Sequence, residues 1–194
     1  MAAVECVAAV GVFPLDVCRE SEAVCMNYMV VYSSETGNTK QVAKTIFEAI
    51  PGELKDIVAI EDYNGKEADV FFVGFWTNRG NCDMKVVDLL SKLSDKKVAL
   101  FGTCGMGTDE RYYKEIEQRV NVWVSDDCDY LGAFLCQGKM PMQVRKKYEA
   151  MLVGGNNVEQ VNHMIENFDE ALLHPNKEDE KNAIDFVKNI LKSL

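Results

Sequence analysis

The chain predicts a doubly wound α/β fold, a three-layer sandwich in which one five-stranded parallel sheet lies between two layers of helices. Three observations carry that prediction. From Met26 onward, short apolar runs alternate with stripes at helical spacing, an order that implies parallel strands joined by helical crossovers. Several of the runs are apolar almost without interruption, as in strands covered on both faces. A length of 194 residues suits one domain with a substantial core.

The strands are expected at Tyr28 to Tyr32, Glu53 to Ile60, Val70 to Phe75, Lys97 to Gly102 and Gly132 to Gln137. Between them, helical spacing joins Val42, Ile46 and Ile50, then Val86, Leu89, Leu90 and Leu93, then Ile116 and Val120. The link from Ile60 to Val70 is short for a crossover helix and predicts a turn or a single helical turn. Beyond the fifth strand, Val158, Val161, Ile165 and Phe168 mark a further helix. Ala183, Phe186, Val187, Ile190 and Leu191 mark a last one after the His174-Pro175-Asn176 break. The charged run Lys177 to Lys181 suits the solvated opening of that helix, where acidic side chains meet the positive end of the helix dipole. No internal repeat or long linker divides residues 26–194, which are expected to form one domain. Residues 1–25 are expected to be a non-core extension, because the apolar stretch Val7 to Leu15 lacks a basic leader and is broken by Gly11 and Pro14.

Apolar residues make up 47% of the chain and charged residues 27%, the balance of an ordinary globular protein. A formal charge of −10 repels nucleic acid and anionic lipid, so neither nucleic acid nor membrane is expected as a partner, and a protein with a basic docking surface is. Simple solubility explains an acidic surface equally well. The seven cysteines include no CxxC pair, which argues against a disulfide framework, a structural zinc site or an internal iron-sulfur cluster. A reducing, cytoplasmic setting fits that usage. His163 and His174 belong to no nucleophile or metal pattern, and no metal ligand or catalytic residue is expected.

In a doubly wound fold the ligand sits outside the carboxyl ends of the strands at the topological switch point, so the loops after strands one, three and four carry the chemistry. The first of these reads Ser33-Ser34-Glu35-Thr36-Gly37-Asn38-Thr39 and runs straight into a helix. A helix start presents unpaired N–H groups and the positive end of the dipole, so it holds a phosphate without a formal cation. The hydroxyls of Ser34, Thr36 and Thr39 add donors, and Gly37 lets the backbone approach closely. The loop matches neither GxxxxGK[ST] nor GxGxxG, so one terminal phosphate fits better than a nucleotide pyrophosphate. The alternative is that Ser, Thr and Asn merely cap the helix.

Ser34-Glu35-Thr36-Gly37-Asn38-Thr39 resembles the phosphate loop Ser/Thr-x-Thr-Gly-x-Thr of the flavodoxin family. The resemblance covers about residues 28 to 191. It implies a sheet of order 2-1-3-4-5, FMN as cofactor, and these six residues around its phosphate. Glu35 departs from the small polar residue frequent there, and is expected to face solvent because an inward carboxylate would repel the phosphate.

The third strand leads into Gly74-Phe75-Trp76-Thr77-Asn78-Arg79-Gly80-Asn81, in which Trp76 can stack on a flavin or simply close the rim of the sheet. Thr77, Asn78 and Gly80 belong to the same loop. By resemblance its glycine turn presents a carbonyl to the flavin N5, while Arg79 places a cation where the family is often neutral or acidic. The fourth strand leads into Phe101-Gly102-Thr103-Cys104-Gly105-Met106-Gly107, whose glycines suit close approach to a planar ring. Thr103, Cys104 and Gly105 would bind the pyrimidine edge through main-chain groups. Tyr112 or Tyr113 would cover the outer face or pack on the helix instead. Cys82 is the one partner by position for Cys104, and two free structural thiols are expected rather than a redox pair.

The resemblance implies an FMN-binding carrier that passes electrons to a partner reductase, rather than a stand-alone oxidoreductase. Two other readings stay open. One is an FMN-dependent NAD(P)H reductase of a quinone or small molecule; the other is a non-redox module of the same fold that has lost the flavin, as Glu35 and Arg79 would allow. The pieces GFWTNRG and VALFGTCG are similar to a flavodoxin-like subgroup of anaerobic bacteria that serves dedicated reductases, among them the accessory protein of bilirubin reduction.

Overall fold

The computed structural model describes residues 26–107, 109–154 and 157–194; the expected N-terminal extension lies outside them. Five parallel strands form one sheet: β1 (Tyr28–Tyr32), β2 (Lys55–Ala59), β3 (Val70–Trp76), β4 (Lys97–Cys104) and β5 (Asp129–Gln137). Their order is β2-β1-β3-β4-β5, as the resemblance implies. The helices are α1 (Asn38–Ala49), α2 (Met84–Leu90), α3 (Glu110–Asn121), α4 (Met142–Val153), α5 (Val158–Ala171) and α6 (Lys177–Ser193). The connection before β3 holds only the three-residue turn Ile60–Asp62, matching the short link.

Side chains of a strand alternate between faces, and here both faces are buried. Met29, Val31, Phe71, Val73, Val98 and Leu100 point to one side, where Val86, Leu90, Ile116 and Val120 of α2 and α3 cover them. Tyr28, Val30, Val70, Phe72, Ala99 and Phe101 point to the other, under Val42 and Ile46 of α1 and Val187 and Ile190 of α6. Double coverage therefore explains the unbroken apolar runs. It also fixes the carboxyl ends of β1, β3 and β4 side by side.

Five elements differ from the sequence expectation. β3 runs on to Trp76 and β4 to Cys104, past the expected ends at Phe75 and Gly102. The edge strand β2 is shorter than Glu53 to Ile60, since its residues are half-exposed or exposed and its apolar signal runs past the pairing. β5 begins at Asp129 rather than Gly132, with a register shift opposite Val98 and Ala99 and Gly132 at φ 110°. That bulge breaks the alternation that marks a strand. Helix α4 has no counterpart in the sequence reading because it buries no residue and shows no apolar stripe. It pairs with α5, and the two follow β5 and precede the covering helix α6 along the chain.

At the functional end of the sheet, two glycines each receive a ring from the opposite strand. Gly74 faces Phe101 and Phe75 faces Gly102 in the β3–β4 register. A Cβ on Gly74 would run into the Phe101 ring, and one on Gly102 would come 2.8 Å from the Phe75 ring. Both phenylalanines are fully buried and have no room to yield. Gly102→Ala should therefore cost about 1–3 kcal/mol from overpacking. Urea denaturation of wild type and variant checks this, and a change below about 0.5 kcal/mol would show that the ring moves freely.

Candidate functional site

The start of α1 differs from that of most other helices. Asp83, Asp109, Asn157 and Asn176 cap α2, α3, α5 and α6 through side-chain oxygens. At α1 the N-cap is Gly37, at φ 90° and ψ −9°, with no side-chain cap bond. A left-handed glycine bends the chain so that successive N–H groups can converge, and open space surrounds the position its Cβ would occupy. The polar side chains of the loop are used to brace it. Ser34 Oγ accepts from Lys40 N–H at 3.2 Å, and buried Asn38 donates from Nδ2 to Thr36 Oγ1 at 2.9 Å and to the Lys139 carbonyl at 2.8 Å. Thr39 is almost fully buried and its hydroxyl pairs with that of Thr103 at 2.9 Å. Capping by these side chains therefore accounts for one amide, that of Lys40, and the expectation of three hydroxyls turned to a ligand is corrected for Thr39. Glu35 is exposed, as the repulsion argument expects.

A cavity of about 400 Å³ opens beside this loop and joins it to the loops after β3 and β4. The size is that of a small-ligand pocket. Glu35, Thr36 and Asn38 line it from the first loop, Trp76, Thr77 and Gly80 from the second, and Thr103, Cys104, Gly105 and Tyr112 from the third. Four expected residues fall outside its wall. Ser34 lines an adjoining cleft behind Trp76, and Gly37 opens toward α1 and α6. Thr39 is buried by its bond to Thr103, and Asn78 is exposed in a turn. A larger cavity of about 570 Å³ lies between Tyr63, Phe71 and α2, and none of the expected site residues lines it.

After β3 the chain makes a tight turn. Asn78 N–H donates to the Asn81 carbonyl at 2.7 Å, and Asn81 N–H returns a bond to Asn78 at 3.0 Å. Arg79 at φ 51° and Gly80 at φ 81° occupy the two central positions. A left-handed arginine is uncommon and strained, so the turn is held by its surroundings. Arg119 of α3 donates to the Gly80 carbonyl at 3.5 Å. Asp83, the α2 cap, also accepts a short bond from Ser33 Oγ, which ties the turn's far side to the first loop. Half-buried Trp76 precedes the turn. Thr77 donates its N–H to the Thr103 carbonyl at 2.9 Å, while its buried Oγ1 makes no hydrogen bond beyond a weak interaction with the Cys104 thiol. A buried hydroxyl on the cavity wall suits a polar ligand edge.

At Gly102 in β4, and at Gly105 and Gly107 after it, Phe75, Met140 and Tyr113 fill the space that Cβ atoms would take. Gly105 still lines the cavity. Tyr113 also bonds the Gly107 carbonyl, which leaves Tyr112 as the tyrosine on the cavity. Burial pushes the Cys104 thiol up to about 12, against a smaller opposing pull from the Thr77 hydroxyl. Burial and the Asp83 carboxylate push Cys82 up to about 11. Both cysteines are free and would be protonated at neutral pH, which suits structural thiols.

The sequence reading missed a fourth wall. Gly138, Lys139, Met140 and Pro141, between β5 and α4, line the cavity with the three expected loops. Gly138 immediately after a strand was the available signal; its placement against Asn38 depends on tertiary packing. The charged residues on the cavity wall are Glu35, Arg79 and Lys139, so the wall is mixed in sign. No described helix is long and apolar enough to cross a membrane.

A family model described as "Flavodoxin domain" matches residues 29–188. The flavodoxin-like domain-containing protein BilS of Clostridioides difficile (strain CD3) is 34% identical over 170 residues, covering 86% of this chain and 97% of that protein. BilS of Clostridium symbiosum (strain WAL-14163) is 32% identical over 174 residues, covering 79% and 90%. The Streptococcus pneumonia TIGR4 flavodoxin structure superposes with a TM-score of 0.56 at 16% identity, over 86% of this chain and 99% of that one, a likeness of fold. With the family model spanning most of the sheet and its helices, this chain belongs to the flavodoxin family.

Proposed function

We propose that the chain is an FMN-dependent electron carrier. The observation that carries this reading is the single cavity joining an α1 start free of an N-cap side chain to Trp76 and Gly105 at the carboxyl edge of the sheet. Flavodoxins, with strand order 2-1-3-4-5, are a standing example of ligand binding at that edge. Family membership supports the choice of flavin over another phosphate ligand.

Bound FMN would supply one- and two-electron transfer; the chain's part is to hold, orient and tune it. The N–H groups opening α1 would hold the phosphate, with Ser34 and Thr36 hydroxyls near it. Trp76 and Tyr112 offer aromatic surface on the cavity wall, worth roughly 0.5–1.5 kcal/mol for a stacked ring beyond buried area. An apolar face disfavours negative charge on a neighbouring ring, whereas the Arg79 guanidinium favours it, and the two oppose each other in setting the potential. Of the Asn78 to Asn81 turn, Arg79 and Gly80 line the cavity, and a main-chain carbonyl from there would lie beside the ring.

The formal charge of −10 supports a redox partner with a basic docking surface. Since the cavity rim itself is mixed in sign, attraction would come from the protein's overall field.

The test is stepwise anaerobic reduction of the FMN-loaded protein followed by absorbance. A one-electron carrier should accumulate a large fraction of one-electron-reduced flavin. Direct passage to the two-electron state, with fast NADPH oxidation in the absence of a partner protein, would favour the reductase reading. Protein that retains no FMN would favour the non-redox module.

The phosphate assignment predicts that Gly37→Asp abolishes FMN retention on gel filtration, because a carboxylate enters the phosphate's field. Gly37→Ala carries similar backbone strain without the charge and should retain more FMN. Equal retention by the two variants would contradict the assignment.

A further inference from the structure

The Gly105 carbonyl accepts two hydrogen bonds, from Gln137 Nε2 at 3.1 Å and from Asn167 Nδ2 at 3.0 Å. Both lone pairs of the oxygen are thereby engaged. Gln137, at the end of β5, is 2% exposed, and its Nε2 also reaches the carbonyl and Oδ1 of Asn167 at 3.3 and 3.2 Å. Asn167 belongs to α5 and its Nδ2 additionally contacts Met106 Sδ at 3.4 Å. Gly105 and Met106 line the cavity, but Gln137 and Asn167 do not. The Gly105 oxygen thus points to groups behind the wall. In a trans peptide the next N–H points the opposite way, so anchoring this oxygen fixes the direction of the Met106 N–H.

We infer that Asn167 and Gln137 are positioning residues for the flavin's pyrimidine edge, and that the α4–α5 pair therefore forms part of the cofactor site. This rests on the proposed FMN binding. A free glycine peptide at this position could rotate, exchanging an N–H for a carbonyl on the cavity wall. The two amides suppress that exchange. Met140 adds to the restraint by filling the space beside Gly105 from the loop that begins the same helical pair.

The test compares wild type with Asn167→Ala and Asn167→Asp. The second keeps the side chain's size, removes its donor and sets a carboxylate against the Gly105 oxygen. Asp169→Ala is the control, since it removes another polar side chain of α5, the one paired with Arg145 of α4, without touching Gly105. FMN affinity is read by quenching of flavin fluorescence. The environment of the pyrimidine edge is read by the ¹³C resonance of FMN labelled at its C2 carbonyl. Both Asn167 variants should bind FMN about tenfold more weakly, the equivalent of one lost hydrogen bond, with the C2 resonance shifted toward that of free FMN. Asp169→Ala should match wild type in both. If wild type binds FMN and the Asn167 variants bind within twofold of it with an unmoved resonance, the inference is overturned while the proposed function stands. If all three variants weaken binding equally without moving the resonance, the helix acts only through stability and the inference is again overturned. Wild type that binds no FMN overturns the proposed function and this inference together.

Discussion

The site depends on a helix that begins without an N-cap side chain at the edge of a buried sheet. Gly37 turns the chain through a left-handed conformation into α1, and no N-cap side chain bonds the N–H groups there. A helix start left in this way carries a partial positive charge, and an anion stabilises it. The double-sided core holds that start in place, since Val42 and Ile46 of the same helix are buried against the sheet.

Precision at the site comes from bonds that join one loop to another. Thr39 meets Thr103, linking the first loop to the end of β4. Ser33 meets Asp83, linking it to the far side of the β3 turn. Asn38 donates to Lys139, bringing in the loop after β5. The bonds of Thr39 and Asn38 each spend a side chain that a purely local reading assigns to the ligand. The ligand is left mainly with main-chain groups, whose positions the packing fixes before anything binds. Such preorganisation removes much of the ordering cost of binding.

The sheet was legible in the sequence because burial on both faces leaves unbroken apolar runs, and the loop opening α1 was legible as a polar, glycine-containing turn because its chemistry is local. Trp76, Gly105 and Tyr112 could be placed on the cavity once the strand order was known. The rest was not local. Helix α4 buries nothing and so writes no periodic pattern. Met140 reaches Gly105 from the loop between β5 and α4, a contact that tertiary packing sets. Asn167 is one polar residue on an amphipathic helix, with no spacing that points to a glycine carbonyl 62 positions earlier. The side chains around the glycines at the end of β4 were hidden for a related reason: the missing Cβ atoms make room for Phe75, Met140 and Tyr113, which a single sequence cannot distinguish from room for a ligand.

The proposed grip on a phosphate by α1 is tested most directly by comparing FMN with riboflavin, which shares the ring but lacks the anion. Titration of apoprotein with each flavin, followed by fluorescence quenching, gives the two dissociation constants. An anion held by several charge-assisted N–H bonds, each contributing about 1.5–3 kcal/mol, predicts at least about a hundredfold weaker binding of riboflavin. Equal affinity for the two would contradict the central claim that the opening of α1 is the anchor of the site.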